Sequence, residues 1–309
     1  MSHHTLQTIG DHIRYAASRF EAAGLHYGHG TDNAIDEAAA LVLGILHMPP
    51  DLAAGWFTCR VTDDERETLL AAIAERIDKR RPVPYILGEG WFCGLSFEVD
   101  ESVLIPRSPI AELIEQGFSP WIDPARVERI ADVGTGCGCI AVACALAFPQ
   151  AEVFALDNAA GALAHAPHNA RRHGVSGRVR VQRSDLLEGL GQAGAMDLIV
   201  ANPPYVDTRA MTTLPPEYRH EPREALAAGP DGMDVVRRLL PQAARCLAPA
   251  GWLVCEVGHG MAAFEAAFPE VPVTWVDLER GGEGVFVIQG EALQSALGAD
   301  AAMVGDGVA

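Results

Sequence analysis

The chain has 309 residues, of which 49% are hydrophobic and 21% are charged, a composition typical of a globular protein. It shows no signal-peptide pattern, and no apolar run approaches the roughly 18 residues that a membrane span needs. We therefore expect a cytoplasmic protein without membrane contact. It carries 23 Lys and Arg residues against 41 Asp and Glu residues, a formal net charge of −18. Because basic side chains are needed to neutralise a phosphate backbone, this balance argues against non-specific binding of nucleic acid. An acidic surface attracts basic macromolecules, but most such charges serve to keep a protein in solution and need no partner, an alternative that stays open.

The first part of the chain, residues 1–85, shows helical periodicity. Apolar residues recur at helical spacing from Ile9 to Phe20, and a second apolar-rich helix over 36–48 stops at Pro49-Pro50. Thr62-Asp63-Asp64-Glu65 is a capping box that opens a third helix. We interpret this segment as a small helical domain for substrate recognition.

From residue 86 the helical pattern gives way to strand signals. Trp91 to Val99 predicts two short strands around a turn at Gly94, so residues 86–106 are expected to form a β-hairpin linker. Residues 107–290 then alternate between apolar runs and helical patterns, which predicts a doubly wound, mostly parallel α/β sheet. Residues 291–309 are rich in Ala and Gly and are predicted to be a flexible tail. The predicted strands lie near residues 129–133, 152–157, 178–183, 196–201, 251–257, 271–277 and 284–289.

A glycine-rich loop follows the first strand of this alternation. Asp132-Val133 runs into Gly134-Thr135-Gly136-Cys137-Gly138, and an apolar helix begins at Cys139. A strand, a glycine turn and a helix N-terminus form the crossover at which ligands bind in doubly wound folds. Cys139 replaces the third glycine of the dinucleotide fingerprint, which counts weakly against NAD. The chain has seven cysteines, with no zinc-ligand spacing, and we predict no metal.

Acidic residues end the next two predicted strands. Asp157 follows the apolar run 153–156 and is placed to accept both hydroxyls of a ribose. Asp185 follows the third strand, where it can accept a hydrogen bond from an adenine amino group. Either residue alone is more often a helix N-cap, an alternative that stays open.

Asn202-Pro203-Pro204-Tyr205 ends the fourth predicted strand. Two consecutive prolines lack N–H groups, so the sheet ladder must stop here and leave carbonyl oxygens, an Asn carboxamide and an aromatic face. Such a set suits a flat NH₂ group, either an amide or a base amine. Together with the glycine loop, Asp157 and Asp185, it describes a site for an adenosine with a polar tail, which S-adenosylmethionine fits.

These motifs resemble the class I S-adenosylmethionine-dependent methyltransferases of the protein-(glutamine-N5) family. The match is carried by the run Asp132 to Ala141 and by Asn202-Pro203-Pro204-Tyr205. The resemblance implies a Rossmann-like, seven-stranded sheet over residues 107–290 with the helical domain and hairpin in front. It also implies cofactor contacts from residues 134–138, Asp157, Asp185 and Asn202, and catalytic roles for Asn202, Pro203, Pro204 and Tyr205.

The family has two close branches, which methylate a glutamine of peptide release factors or of large-subunit ribosomal protein L3. The stretches from Phe97 to Glu112 and from Glu217 to Pro222 are similar to the ribosomal branch. The release-factor branch usually has Arg-Pro where this chain has Arg107-Ser108. The expected partner is therefore ribosomal protein L3, with release factors as the alternative. Less favoured are an adenine-N6 methyltransferase and a cofactor-binding assembly factor without catalysis.

The sequence leaves alternative roles for three further residues. Arg107 lies near the predicted cofactor site and either meets a carboxylate there or forms a surface ion pair. His220 and Glu221 belong to the long segment 206–232 after the catalytic motif. A segment of this length is either a lid or, as we slightly prefer, a solvated loop.

Overall fold

The computed structural model describes residues 5–190 and 195–298, and the chain begins with a helical bundle. The capping box predicted at Thr62 and Glu65 is present, and Thr8 and Asp11 make the same reciprocal cap on the first helix. Within the described residues, no helix combines the length and apolar character that crossing a membrane requires. The bundle helices are α1 (Ile9–Ala22), α2 (Ala34–Ile45), α3 (Asp63–Asp78) and α4 (Val83–Leu87).

The predicted hairpin follows the bundle. Strands β1 (Glu89–Phe92) and β2 (Leu95–Glu98) pair antiparallel through a two-residue turn. Cys93 and Gly94 both have positive φ, 49° and 71°, which is the geometry whose twist matches that of the flanking strands. Phe97 is fully buried, so the hairpin is seated on the core of the molecule rather than extended into solvent.

The predicted Rossmann-like sheet is confirmed. Its seven strands lie in the order β5-β4-β3-β6-β7-β9-β8. Strands β3 to β7 are parallel, and β9 pairs antiparallel with both β7 and β8. The strand order reverses between β3 and β6, and ligands bind at such a reversal in doubly wound folds. The strands are β3 (Arg129–Val133), β4 (Glu152–Asp157), β5 (Val179–Arg183), β6 (Met196–Ala201), β7 (Leu247–Glu256), β8 (Thr274–Trp275) and β9 (Val285–Gln289).

Helices cover both faces of this sheet. Alternating residues of β6 point to opposite sides, so Val200 joins the core that includes the hairpin's Phe97, while Ile199 joins the core on the other face. The helices of this part are α5 (Ile110–Glu115), α6 (Cys139–Ala147), α7 (Ala160–Arg172), α8 (Thr208–Thr213), α9 (Asp234–Cys246), α10 (Met261–Ala267) and α11 (Gly290–Ala296).

The predicted flexible tail is wrong where the structure describes it. Residues 290–296 form α11, in which Leu293 is fully buried in the core. Gln294 Nε2 donates to the carbonyl oxygens of Ala244 and Leu247, 2.9 and 3.1 Å away. Tertiary packing therefore stabilises a helix whose Ala-rich sequence carries little periodic signal. Residues 299–309 lie outside the described part of the chain.

A buried cluster of charges joins the helical bundle to the segment after β6. Arg76 is fully buried, and its Nε donates to Glu37 Oε1 at 2.5 Å. Glu217 Oε1 lies 3.4 Å from Arg76 Nη1 and 3.2 Å from Arg80 Nη1, and it accepts the backbone N–H of His26 at 3.0 Å. Since Glu217 is itself fully buried, each charge depends on the others for compensation.

We expect Glu217→Ala to lower the free energy of unfolding by about 3 kcal/mol, because it leaves the buried Arg76 guanidinium with Glu37 as its remaining ion-pair partner in this cluster. Urea denaturation followed by circular dichroism measures this loss. The matched control is Glu67→Ala, which removes an exposed carboxylate from α3. Equal stability of the two variants would contradict the structural role of the cluster.

Candidate active site

Residues at the ends of neighbouring parallel strands surround one cavity. Gly134 and Gly136 follow β3, Asp157 ends β4, Asp185 follows β5 and Asn202 follows β6, and all of them line it. The sequence predicts this arrangement, because parallel strands that end together present their last residues at one edge of the sheet. Apolar lining comes from Leu156, Ala162, Leu186 and Val235, among others.

The glycine loop contributes backbone rather than side chains to this cavity. Gly134 and Gly136 have φ of 74° and 54°, which L side chains rarely adopt, and a Cβ at Gly136 would meet no atom within 4 Å. Three of the predicted cofactor contacts, Thr135, Cys137 and Gly138, are absent from the cavity lining. In the structure these three residues instead contact the elements that support the loop.

The other three loop residues fix the loop through contacts with its neighbours. The Thr135 hydroxyl donates to Asp132, and the Cys137 carbonyl accepts from Asn169 Nδ2 at 2.9 Å. A Cβ at Gly138 would lie 3.0 Å from the Cβ of Ala166, so glycine permits the close packing of α6 on α7.

Asp132 supports the loop, a role that the sequence pattern alone did not reveal. Its Oδ2 accepts hydrogen bonds from the Thr135 hydroxyl and from the Ala141 N–H. Complete burial raises the pKa of the Asp132 carboxyl to about 7, although these hydrogen bonds act in the opposite direction.

The two predicted acids occupy different environments. Asp157 accepts the N–H of Gly136 and that of Ala159, each at 2.9 Å, and each of its oxygens keeps further acceptor capacity. It can therefore fix the loop and still face a ligand in the cavity. Asp185 instead forms an ion pair with Arg238, which also lines the cavity. Arg238 was missed because it lies 53 residues further along the chain, on α9.

A second cavity adjoins the first. Its lining includes Arg107, Pro203, Tyr205 and Tyr218. Leu104, Asn202 and Ala225 belong to the lining of both cavities. Asn202 is therefore the polar residue that borders both cavities.

The segment 206–232 forms a wall of both cavities, and its interpretation as a solvated loop is wrong. It contains α8 and two 3₁₀ helices, Pro216–His220 and Arg223–Ala225. Tyr218 lines the second cavity and Pro222 the first. This wall is ordered because its acidic residues are buried against partners from elsewhere in the chain.

Arg107 meets one of these buried acids. Its Nη1 and Nη2 both donate to the Glu221 carboxylate, the latter at 2.7 Å, and its guanidinium lies 5.5 Å from the Tyr218 ring centroid. Glu221 also lies 3.5 Å from His29 Nε2. Burial raises the pKa of the Glu221 carboxyl, but His29 and Arg107 outweigh burial and lower it to about 2. The pair is thus charged and partly buried, not a surface ion pair.

His220 lies outside both cavities. Its Nε2 is 2.8 Å from the Lys79 carbonyl oxygen, and its Nδ1 is 3.2 Å from Glu101 Oε1. These contacts tie the wall to the C-terminal end of α3 and to the segment after the hairpin. His220 therefore joins these elements to the wall and does not line either cavity.

Comparison with known proteins identifies the family. The model of the methyltransferase small domain matches residues 119–229. A ribosomal protein uL3 glutamine methyltransferase of Bordetella pertussis is 47% identical over 291 residues, which cover 94% of this chain and 97% of the relative. That of Neisseria meningitidis serogroup B is 44% identical over 289 residues, covering 93% and 95%.

A solved structure, the hMettl16 catalytic domain in complex with MAT2A 3′UTR hairpin 6, has a TM-score of 0.49 and 18% identity, covering 73% of this chain and 81% of that one. That likeness is too distant to bear on the reaction. The two close relatives confirm the predicted family and its ribosomal branch. The chain belongs to the ribosomal protein uL3 glutamine methyltransferases.

Proposed function

We propose that this enzyme transfers a methyl group from S-adenosylmethionine to the side-chain amide nitrogen, N5, of a glutamine in ribosomal protein uL3. The observation that carries the proposal is the position of Asn202, which borders two adjoining cavities. We assign the first cavity to the methyl donor and the second to the glutamine. Their shared wall is then the place where donor and acceptor meet.

The first cavity has the chemistry that an adenosine-containing donor requires. The bare backbone of Gly134 and Gly136 allows close approach, and the Asp157 carboxylate can accept ribose hydroxyls. Leu156 and Leu186 supply apolar surface for a base. Asp185 retains acceptor capacity beside its ion pair with Arg238 and is proposed to face the adenine amino group. S-adenosylmethionine, when bound, supplies a methyl group activated by its attachment to a positively charged sulfur.

Asn202 and Pro203 are proposed to orient the glutamine amide. An amide nitrogen is a weak nucleophile because its lone pair is delocalised into the carbonyl group. Asn202 Oδ1 and the Pro203 carbonyl oxygen can each accept one of the two N–H hydrogens, which holds the nitrogen toward the donor and increases its electron density. Pro204 keeps the chain from continuing the sheet, and the Tyr205 ring can pack on the amide plane.

The proton released in the reaction needs no dedicated base. As the N–C bond forms, the S–C bond breaks and its electron pair stays on sulfur. The methylated nitrogen then carries positive charge, and an N-alkylated protonated amide is acidic enough to lose a proton to water. The residues of the motif act by position and hydrogen bonding.

We further propose that residues 1–85 and the hairpin linker over 86–106 select the protein substrate, while residues 107–290 carry out transfer. Support comes from the buried contacts between Arg76 and Glu217 and between His29 and Glu221, which attach the bundle to the wall of the second cavity. The net charge of −18 favours encounter with a basic protein.

The substrate is tested by offering radiolabelled S-adenosylmethionine with purified uL3, a release factor or nucleic acid. We expect label on uL3, and mass spectrometry of its peptides should place one added methyl group on a glutamine side chain. Label on the release factor alone would reassign the substrate. Label on nucleic acid alone would overturn the proposal.

Asn202→Ala should abolish methylation of uL3, because it removes the acceptor at the junction of the two cavities. Turnover is measured with the labelled donor, and circular dichroism checks that the variant is folded. Gln150→Ala is the matched control, since it removes a side-chain amide that lies outside both cavities and donates to the carbonyl oxygens of Pro124 and Val127. Normal turnover by the Asn202 variant would refute the assigned role.

Asp157→Asn should raise the Kd for S-adenosylmethionine about tenfold to a hundredfold, because hydrogen bonds to a charged group contribute about 1.5–3 kcal/mol. Isothermal titration calorimetry measures this directly. Asp197→Asn is the matched control, because Asp197 also accepts two backbone N–H groups, those of Glu128 and Arg129, but lies outside the cavity. Unchanged affinity in the Asp157 variant would remove this residue from the cofactor site.

A further inference from the structure

Tyr205 is held by contacts that the reaction described above does not use. Tyr205 lines the second cavity together with Asn202. Its hydroxyl donates to Glu256 Oε1 at 2.9 Å. Glu256 is the last residue of β7 and is 4% exposed, so its carboxylate is rigidly placed by the central sheet.

Glu256 is in turn fixed by Ser108. The Ser108 hydroxyl donates to Glu256 Oε2 at 2.6 Å, and its oxygen accepts the N–H of Ile110 at 3.2 Å. The Ser108 hydroxyl thus accepts one hydrogen bond from the backbone and donates another to Glu256. Each oxygen of one buried carboxylate thus receives one hydroxyl, from Ser108 on one side and from Tyr205 on the other.

Main chain packs closely against Tyr205 at two glycines. Gly258 has φ of 50°, and a Cβ there would lie 2.7 Å from Tyr205 Cε2. A Cβ at Gly232 would lie 2.3 Å from the Tyr205 carbonyl oxygen. Gly258 therefore lets main chain pack against one edge of the Tyr205 ring, Gly232 lets it pack against the Tyr205 backbone, and Glu256 anchors the hydroxyl.

We propose that Glu256, oriented by Ser108, is a positioning residue that sets the Tyr205 ring against the substrate amide. The proposal rests on the function proposed above, since it assumes that the glutamine occupies the second cavity. A ring fixed in advance restricts the amide plane to the orientation in which its nitrogen faces the methyl donor.

The carboxylate also affects the electronic character of the ring. Burial raises the pKa of Glu256, whereas the hydrogen bonds from Ser108 and Tyr205 favour its charged form. Burial is the larger effect, so the net shift of the pKa is upward; in its ionised form the carboxylate accepts from both hydroxyls at once. A phenol that donates to a carboxylate is more electron-rich, and its face stabilises the positive charge that passes to the amide nitrogen.

Three variants and their combination test the proposal. Glu256→Ala should lower kcat on uL3 about a hundredfold, the scale of a misplaced contact in an active site, while the KM for S-adenosylmethionine stays at the wild-type value. Glu256→Gln keeps the shape and one acceptor but not the charge, so its kcat should fall between those of Glu256→Ala and wild type. The kcat of Tyr205→Phe should match that of Glu256→Ala. The double variant Tyr205→Phe/Glu256→Ala should lose no more of the wild-type kcat than either single variant, because the two residues act as one unit.

A spectroscopic measurement reports on Tyr205 without turnover. In protein labelled with fluorotyrosine, the chain's five tyrosines give fluorine resonances, and that of Tyr205 is assigned by its absence in Tyr205→Phe. Glu256→Ala should shift or broaden this resonance. Glu112→Gln is the matched control, because Glu112 is another buried carboxylate that accepts two N–H groups, from Glu279 and Arg280, outside both cavities. It should leave both kcat and the resonance unchanged.

The outcomes separate this inference from the proposed function. Wild-type kcat in Glu256→Ala, or losses that multiply in the double variant, would overturn the positioning role even if Asn202→Ala is inactive. A resonance of Tyr205 that is unchanged in Glu256→Ala would overturn it as well. Failure of the wild-type enzyme to methylate uL3 would instead refute the proposed function, while the resonance would still report whether Glu256 holds Tyr205.

Discussion

The end of β6 is the constraint on which the rest of the site depends. Pro203 and Pro204 have no N–H group, so the ladder that joins β6 to β3 and β7 stops at Ala201. The chain leaves the sheet where the strand order reverses, which is also where the glycine loop opens a cavity. Asn202 is thereby placed between two spaces by backbone chemistry, and its position is fixed before any ligand binds.

Buried charge fixes the remaining wall of the site. Glu217 and Glu221 are separated by one 3₁₀ turn, yet the first faces Arg76 and Arg80 of the bundle and the second faces Arg107. Since removing one partner of a buried pair leaves an uncompensated charge, the wall cannot detach from the bundle without a large cost in free energy. The helical bundle therefore supports the wall of the second cavity.

Sequence reasoning located the elements whose signals are local. Most of the parallel strands are apolar runs, and each has a glycine, an acid or a proline at its end or within two residues after it, so the residues at the strand ends could be placed together from the sequence. Ion-pair partners that are distant in sequence could not be predicted, because periodicity shows which face of a helix or strand is buried but not which residues contact that face. Arg107 and Glu221 lie 114 residues apart, and Arg76 and Glu217 lie 141 apart. Helix α11 was missed for the same reason, since its stability comes from docking on β7.

Ser108 connects a sequence difference between the two family branches to the chemistry of the site. The release-factor branch usually has proline after the arginine that corresponds to Arg107, whereas this chain has serine. Proline has no hydroxyl, so it cannot make the hydrogen bond that Ser108 donates to Glu256. In a chain with proline at this position, the carboxylate that anchors Tyr205 would lack one of its two hydroxyl donors. Ser108 can therefore alter how Tyr205, which we propose packs on the substrate amide, is held, and this gives the sequence difference a physical consequence at the candidate site.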